Sequence, residues 1–231
     1  MGIFETEVPG YAKPIDADSS SFPYESAAIV NNWGSLAGMI LVKETLRKIE
    51  DCLGDTGRMS ELAETWLDAS APIEDARNGI LSTKGDLAAY WEGRAADSFQ
   101  SYIEHVISIM NDTSKTFVEM SQLVVGLREL VTGTYISGIS LIGTCAARLI
   151  EAAGNAAMNW YKLWGAVAGG ILEALAGFID ATTELINNAL RTMDRYARTA
   201  LDIKRHAISM QVPDPMPKSA TEPGNWKVSP Q

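Results

Sequence analysis

The side chains that most often carry chemistry are few in this sequence and far apart. The chain has two histidines, His105 and His206, and two cysteines, Cys52 and Cys145. No pair of them has metal-ligand spacing, and no Gly-rich phosphate loop or nucleophile elbow occurs. Glu104 beside His105 is typical of a solvated helix face rather than of a catalytic dyad. The sequence therefore predicts no enzyme, no cofactor and no metal site.

Charge argues against a second group of functions. The 231 residues include 29 acidic and 19 basic side chains, which gives a net charge of −10. A nucleic-acid surface needs clustered Lys and Arg to replace counterions on phosphate, so we expect no nucleic-acid partner. Simple electrostatic attachment to an anionic membrane is disfavoured for the same reason. Residues 1–20 show no basic and apolar leader, so no conventional signal peptide is expected.

Proline marks the two ends of the chain. Residues 1–24 carry three prolines and predict a flexible N-terminal arm, and residues 212–231 carry five and predict a disordered tail. Between these ends only Pro72 interrupts a sequence dense in Ala, Leu and Glu. We therefore predict an all-α fold with disordered ends. Its first element is an accessory helix over residues 25–54, which ends at Gly54.

Two long stretches carry apolar residues at alternating steps of three and four, the spacing of a heptad seam. Residues 57–132 are therefore predicted to form an antiparallel helical hairpin within an elongated helical bundle. Its partner-facing seam comprises Leu62, Trp66, Ile73 and Ile80 on the first arm, and Ile103, Val106, Met110, Phe117, Met120 and Val124 on the second.

Residues 133–211 form an Ala/Gly-rich region that predicts one or two long helices. The apolar phase slips at Gly169-Gly170, which predicts a kink or a break there. Close helix packing is one explanation for the glycines, and membrane contact is another. For the second, Gly165-x-x-x-Gly169 fits small-residue packing. Trp160 and Trp164 would then be interfacial anchors, although aromatic residues at helical spacing are also typical of a core.

The two predicted arms meet at Trp91-Glu92-Gly93. Gly93 supplies the backbone conformation of a tight reversal, and Ala95 lets the arms approach closely. Phe99 begins the second seam. Any helical hairpin can use Trp and Gly in this way, so the Trp-x-Gly pattern alone has little specificity.

The longer pattern is more specific. Trp91, Gly93, Ala95 and Phe99 form Trp-x-Gly-x-Ala-x-x-x-aromatic between two heptad-patterned helices, which resembles the WXG100 superfamily of type VII (ESX) secretion. The resemblance implies association with a like hairpin, as a homo- or hetero-oligomer. It also implies export by the membrane ATPase of that system to the outside or the cell surface, without a cleaved signal peptide.

Two features depart from the family. The chain continues about a hundred residues beyond the hairpin, as in the longer ESX-associated substrates. No tyrosine is followed four positions later by Asp or Glu, which is the family's usual export signal. Either a partner supplies the signal, or the hairpin serves assembly alone. Two other functions stay open: a membrane-active effector that inserts residues 133–181, and a cytosolic structural helical bundle.

Overall fold

Helices dominate the protein. The computed structural model describes residues 21–154, 160–210 and 213–228, without the side chains of residues 160–166. The long helices are α1 (Tyr24–Leu36), α2 (Leu41–Asp51), α3 (Thr56–Tyr90), α4 (Arg94–Ala153) and α5 (Trp160–Ser209). Strand β1 (Trp91–Glu92) lies between α3 and α4. After α5 come a short helix α6 (Lys218–Thr221), a 3-10 turn (Pro223–Asn225) and strand β2 (Lys227–Val228). The predicted all-α class is confirmed. Residues 1–20 of the predicted N-terminal arm lie outside the described residues.

The predicted accessory helix over residues 25–54 is wrong as a single helix. It is divided into α1 and α2 at Gly38, whose φ of 71° lies in the left-handed region. A glycine in that conformation ends a right-handed helix without a Cβ penalty, and the amide of Met39 then donates to the carbonyl of Gly34 at 2.8 Å. The apolar period continues across this break, which is why periodicity alone missed it.

Of the predicted kink or break at Gly169-Gly170, the break is wrong, because α5 runs through both residues, and the kink stays a prediction. A Cβ built on Gly170 would lie 3.4 Å from the Cβ of Ala152, an ordinary van der Waals contact, so packing does not demand a glycine here. Likewise α4 does not end near residue 132, where the hairpin was predicted to stop. It continues to Ala153 and is followed by Gly154 at a φ of 50°.

The chain divides into two compact units. Unit 1 combines Met1–Ser60 with Gly126–Tyr196, and unit 2 combines Glu61–Val125 with Ala197–Gln231. The main apolar cluster belongs to unit 1. Its fully covered side chains come from α1, α2, α4 and α5: Val30, Val42, Leu46, Ile49, Ile142, Leu149, Ile171 and Leu175. This four-helix core is where unit 1 gains its hydrophobic stabilisation.

Two glycines of α4 explain close approaches within unit 1. A Cβ on Gly138 would lie 2.6 Å from Cγ2 of Ile49, and one on Gly126 would lie 2.6 Å from the hydroxyl of Tyr196. At either distance the neighbour would have to shift, which is easier for the end of the Tyr196 side chain than for Ile49, whose Cβ would lie only 3.4 Å away. In contrast, Gly133 and Gly143 have no such neighbour within 4 Å. Close packing therefore accounts for some of the glycines in the Ala/Gly-rich region and not for others.

In unit 2, α3 contacts the first part of α4. The contacts are a Trp66–Phe117 ring pair at 5.6 Å, Ser114 Oγ to Glu74 Oε1 at 2.9 Å, Arg77 to Asn111 at 2.7 Å, and Lys84 to Glu104 at 2.6 Å. Residue numbers rise along α3 as they fall along α4. That order is the one that two antiparallel helices have.

The predicted disordered tail over residues 212–231 is wrong for its described part. Residues 213–228 contain α6, the 3-10 turn and β2. Pro217 precedes α6 and Pro223 begins the 3-10 turn, positions at which a missing amide hydrogen leaves no bond unmade. Proline content therefore indicates short elements here rather than disorder.

Candidate site at the Trp-Glu-Gly turn

The backbone of the turn depends on Gly93. Tyr90 ends α3, β1 covers Trp91–Glu92, and the amide of Asp97 donates to the carbonyl of Gly93 at 3.0 Å to begin α4. The φ of Gly93 is 98°, a conformation that L side chains rarely adopt. A Cβ at this position would also lie 3.4 Å from the carbonyl oxygen of Asn225. The reversal thus requires glycine because of its φ, and a Cβ here would only just contact the Asn225 carbonyl.

Three of the four predicted motif residues, Trp91, Gly93 and Phe99, lie beside residues 225–227. Ala95 and its neighbour Ala96 are buried, at 0% and 1% exposure, and Phe99 is half-buried. The side chain that joins Trp91 to Phe99 is Trp226. Its ring lies 5.6 Å from that of Trp91, edge to face, and 5.9 Å from that of Phe99. Aromatic pairs at these separations contribute about 0.5–1.5 kcal/mol beyond area burial.

Trp226 is held in place by its own segment. The indole Nε1–H donates to the carbonyl of Ala220 at 2.9 Å, and Ala220 is 4% exposed. The hydroxyl of Ser219 donates to that of Ser98, in the first turn of α4, at 3.0 Å. The described part of residues 212–231 is therefore anchored beside the turn by the Trp226 ring and by the Ser219–Ser98 hydrogen bond, while the Trp226–Ala220 bond orders the segment itself.

Strand pairing adds backbone contacts. β1 and β2 are antiparallel, with Trp91 opposite Val228 and Glu92 opposite Lys227. The second pair places opposite charges across the strands, which favours this register. Sequence reasoning missed Trp226 because the segment was predicted to be disordered. The signal that would have found it is a lone tryptophan, followed by Lys-Val, in an otherwise polar stretch.

The predicted seam is only partly covered. Val124 is buried at 7% exposure, and Leu62 is exposed at 47%. The remaining members are half-buried: Trp66, Ile73, Ile80, Ile103, Val106, Met110, Phe117 and Met120. An apolar seam that the chain itself leaves half-open is typical of a helix face that packs on another surface.

The predicted membrane contact lies mostly outside the described side chains. Trp160, Trp164 and Gly165 lie in the part of α5 whose side chains and burial are not described. Gly169 is exposed, and a Cβ built on it would have no neighbouring atom within 4 Å. By length and composition alone, α4 is apolar enough to cross a membrane, the one such helix among the described residues. A core helix of a soluble protein has the same properties.

The groups with clearly shifted pKa lie in unit 1, away from the turn residues in sequence. Burial raises the pKa of the Cys145 thiol to about 11, and that thiol donates to the carbonyl of Ala174 at 3.7 Å. Burial also raises the pKa of Cys52, with the Asp51 carboxylate adding to the effect. A raised pKa leaves little thiolate at neutral pH, so neither free cysteine is activated as a nucleophile. Over the described ranges, no cluster of His, Cys, Asp and Glu could hold a metal ion.

Comparison of the chain with protein-family models, with curated proteins and with solved structures finds no match. The resemblance to the WXG100 superfamily therefore rests on the turn residues and their helical setting alone.

Proposed function

We propose that this chain is a WXG100-like substrate or component of a type VII (ESX) secretion system, and that it acts through helix–helix association with a partner. The observation that carries the proposal is the turn: Trp91 and Gly93 lie between α3 and α4, Ala95 and Phe99 follow at the start of α4, and Gly93 has a φ of 98°. The opposite order of the contacts between these helices supports a hairpin. The proposal assigns no reaction to the chain.

The half-open seam supports association. Covering apolar surface stabilises a complex by about 25 cal/mol per Å² before ordering costs are subtracted. Residues such as Leu62, Ile73 and Val106 present that surface along α3 and α4. A partner with a like hairpin, whether a second copy or another chain, would complete a four-helix bundle. The same partner would supply the Tyr-x-x-x-Asp/Glu signal that this chain lacks.

Fractionation of the source bacterium tests the export step. We expect the chain in the culture medium or at the cell surface of cells with an active ESX ATPase, and retention inside cells in which that ATPase is inactivated. A cytosolic protein released by lysis serves as the control. A chain that never leaves cells with the active ATPase contradicts the proposal.

A substitution tests the turn. Trp91→Ala removes the aromatic side chain of the motif and is expected to abolish export or partner binding. Tyr90→Ala is the matched control, since Tyr90 is adjacent and 60% exposed but does not belong to the motif. Helical circular dichroism of both variants checks that the fold is kept. Normal export and normal partner binding of Trp91→Ala would show that the turn is structural only.

The composition of α4 favours one second candidate, a membrane-active effector that inserts residues from the Ala/Gly-rich region. Ile136 and Ile150 of α4 are 48% and 57% exposed, so changing both to Glu leaves the core intact. If this candidate is right, the double variant releases less dye from vesicles of phosphatidylcholine and phosphatidylglycerol than the unchanged chain. Equal dye release by the two chains, or no release by either, excludes the membrane-active function. Leu190→Glu, 56% exposed on α5, is the control.

A further inference from the structure

The surface around the Trp-Glu-Gly turn is covered by another part of the same chain. We define the turn surface as Trp91, Gly93 and Phe99, and the C-terminal segment as residues 213–228. Trp226 of this segment lies against the rings of Trp91 and Phe99, at 5.6 and 5.9 Å. The turn surface is thus already a binding site, and the C-terminal segment shows what it binds.

The contacts are those by which proteins recognise extended peptides. An added strand supplies backbone pairing, as β2 does on β1, and a side chain in a pocket supplies specificity, as Trp226 does. Gly93 contributes by having no side chain where the Asn225 carbonyl approaches. The ligand class is therefore a segment in which a short helix and a 3-10 turn precede a tryptophan and a two-residue strand follows it.

The segment is organised for docking before it reaches the turn. The Trp226 indole N–H donates a hydrogen bond to the Ala220 carbonyl. The side-chain amide of Asn225 donates to the Glu222 carboxylate at 3.0 Å and to the Ser219 carbonyl at 3.4 Å. These bonds lie within the segment and involve no residue of the turn surface. Local bonds of this kind reduce the entropy that binding removes, which is the benefit of preorganisation.

Few contacts hold the segment on the turn. The pairing covers two residues on each strand, and both residues of β1 and of β2 are exposed, with Val228 at 69%. Trp226 itself is half-buried. Contacts of this extent permit reversible exchange between an intramolecular and an intermolecular ligand.

We propose that the turn surface of one copy of this chain binds the C-terminal segment of a second copy when its own segment is displaced. A second copy presents the same Trp226 and the same β2, so the complementarity seen within the chain is available between chains. This inference goes beyond the proposed function and rests on the contacts at the turn, not on secretion.

Peptide binding to the full-length chain tests the site. The probe is a fluorescein-labelled peptide with the sequence of residues 216–228, and anisotropy reports its binding. In the unchanged chain the attached segment competes at a high effective concentration. We expect Trp226→Ala, which vacates the site, to bind the peptide roughly tenfold more tightly than the unchanged chain. Adding Trp91→Ala to that variant is expected to reverse the gain.

Three controls keep the result interpretable. A peptide that carries Trp226→Ala must not bind, and the Met216→Ala chain, altered in the same segment at a 37% exposed position, must behave as the unchanged chain. Ala220→Asp dislodges the segment by placing a charge at a 4% exposed position, and it provides a second vacated chain if Trp226→Ala loses helicity. Equal peptide affinity of vacated and unchanged chains overturns the proposal.

Mixing two full-length chains tests the second copy. Affinity-tagged Trp226→Ala has an open turn surface, and untagged Trp91→Ala has a released segment that keeps its tryptophan. We expect the tagged chain to retain more of this partner than of untagged Trp91→Ala/Trp226→Ala, which differs only in that tryptophan. Any association through the helical seam contributes equally to both mixtures. Equal retention overturns exchange between copies, whatever the result of the export experiment.

Discussion

At the residue scale, the core of unit 1 encloses polar groups. Thr182 is 0% exposed, and within the described part of the chain its hydroxyl has no hydrogen-bond partner. Glu50 is 6% exposed and accepts a hydrogen bond from the Tyr24 hydroxyl at 3.1 Å. A buried hydroxyl without a partner loses its bonds to water and destabilises the fold. Thr182 is therefore a place where the core is less than optimal.

Thr182→Val replaces that hydroxyl with a methyl group of similar size. We expect the free energy of unfolding to rise by about 1 kcal/mol, because the desolvation penalty disappears while the packing is kept. Urea unfolding measures it. Thr183→Val is the control, since Thr183 is exposed and its hydroxyl donates to the Ile179 carbonyl at 2.7 Å. A lower stability of Thr182→Val would show that the hydroxyl has a stabilising role.

The raised pKa of the buried Cys145 thiol leads us to expect a loss of stability at alkaline pH. Its pKa rises from 9.0 to about 11 in the folded chain, so between these values the unfolded chain releases a proton that the folded chain retains. Stability must then fall as pH increases through this window. Cys145→Ala is expected to lose less stability than the unchanged chain between pH 8 and 11, measured by urea midpoints. The effect of Tyr135, whose pKa burial also raises, persists in both. Parallel losses in the two chains would contradict this assignment.

At the element scale, the glycines of α4 differ in what surrounds them. In a helix interior, glycine is about 1 kcal/mol less favourable than alanine, so each glycine needs a compensating contact or weakens the helix. Gly138 has such a contact in Ile49 of α2, whereas Gly143 has open space around it. One helix therefore contains both a glycine that packing requires and a glycine that it does not.

Alanine substitutions separate these two cases. Gly138→Ala would bring a methyl group within 2.6 Å of Ile49 Cγ2, and we expect it to destabilise the chain by roughly 1–3 kcal/mol. Gly143→Ala meets nothing within 4 Å and is expected to stabilise it by up to about 1 kcal/mol. Thermal and urea unfolding of the two variants show whether each substitution raises or lowers the free energy of unfolding. Stabilisation by both would mean that α2 moves away from α4 at little cost.

At the scale of the whole molecule, the two units differ in how completely they cover their apolar residues. Unit 1 has side chains from four helices at or near zero exposure, including Leu46 and Leu149. Unit 2 has a half-open seam, and its turn is covered by the C-terminal segment. Unit 1 is accordingly the better candidate for the stable core, and unit 2 for the surface that binds partners.

This difference predicts a local response to Trp226→Ala. Amide hydrogen exchange at residues 91–93 and 225–228 is expected to accelerate, because the strand pair loses its aromatic anchor. Exchange around Leu149, in the core of unit 1, is expected to stay unchanged. Mass spectrometry of peptic fragments measures both regions, and Met216→Ala is again the control. Acceleration in both regions would show that Trp226 supports the whole fold.

Much of the helical framework was predictable. Steps of three and four identified the helices that contain the seam, and Gly93 located the reversal, because helix period and backbone freedom are local properties. The breaks were less predictable. Gly38 and Gly54 both have positive φ, yet only Gly54 was predicted to end a helix, whereas Gly169-Gly170 continues one. The glycines that end helices differ from those within α5 in their φ, and the residue type alone does not reveal which φ a glycine adopts.

The sequence by itself therefore determined the all-α class, the long helices of the seam and the place of the turn, since each depends on residues within a few positions of one another. Only the tertiary structure decided that Ile49 lies against Gly138 and that Trp226 lies on Trp91. The hydrogen bond between Ser98 and Ser219 joins residues 121 positions apart. Contacts at such separation are set by how the helices pack, and no local pattern in the chain carries that information.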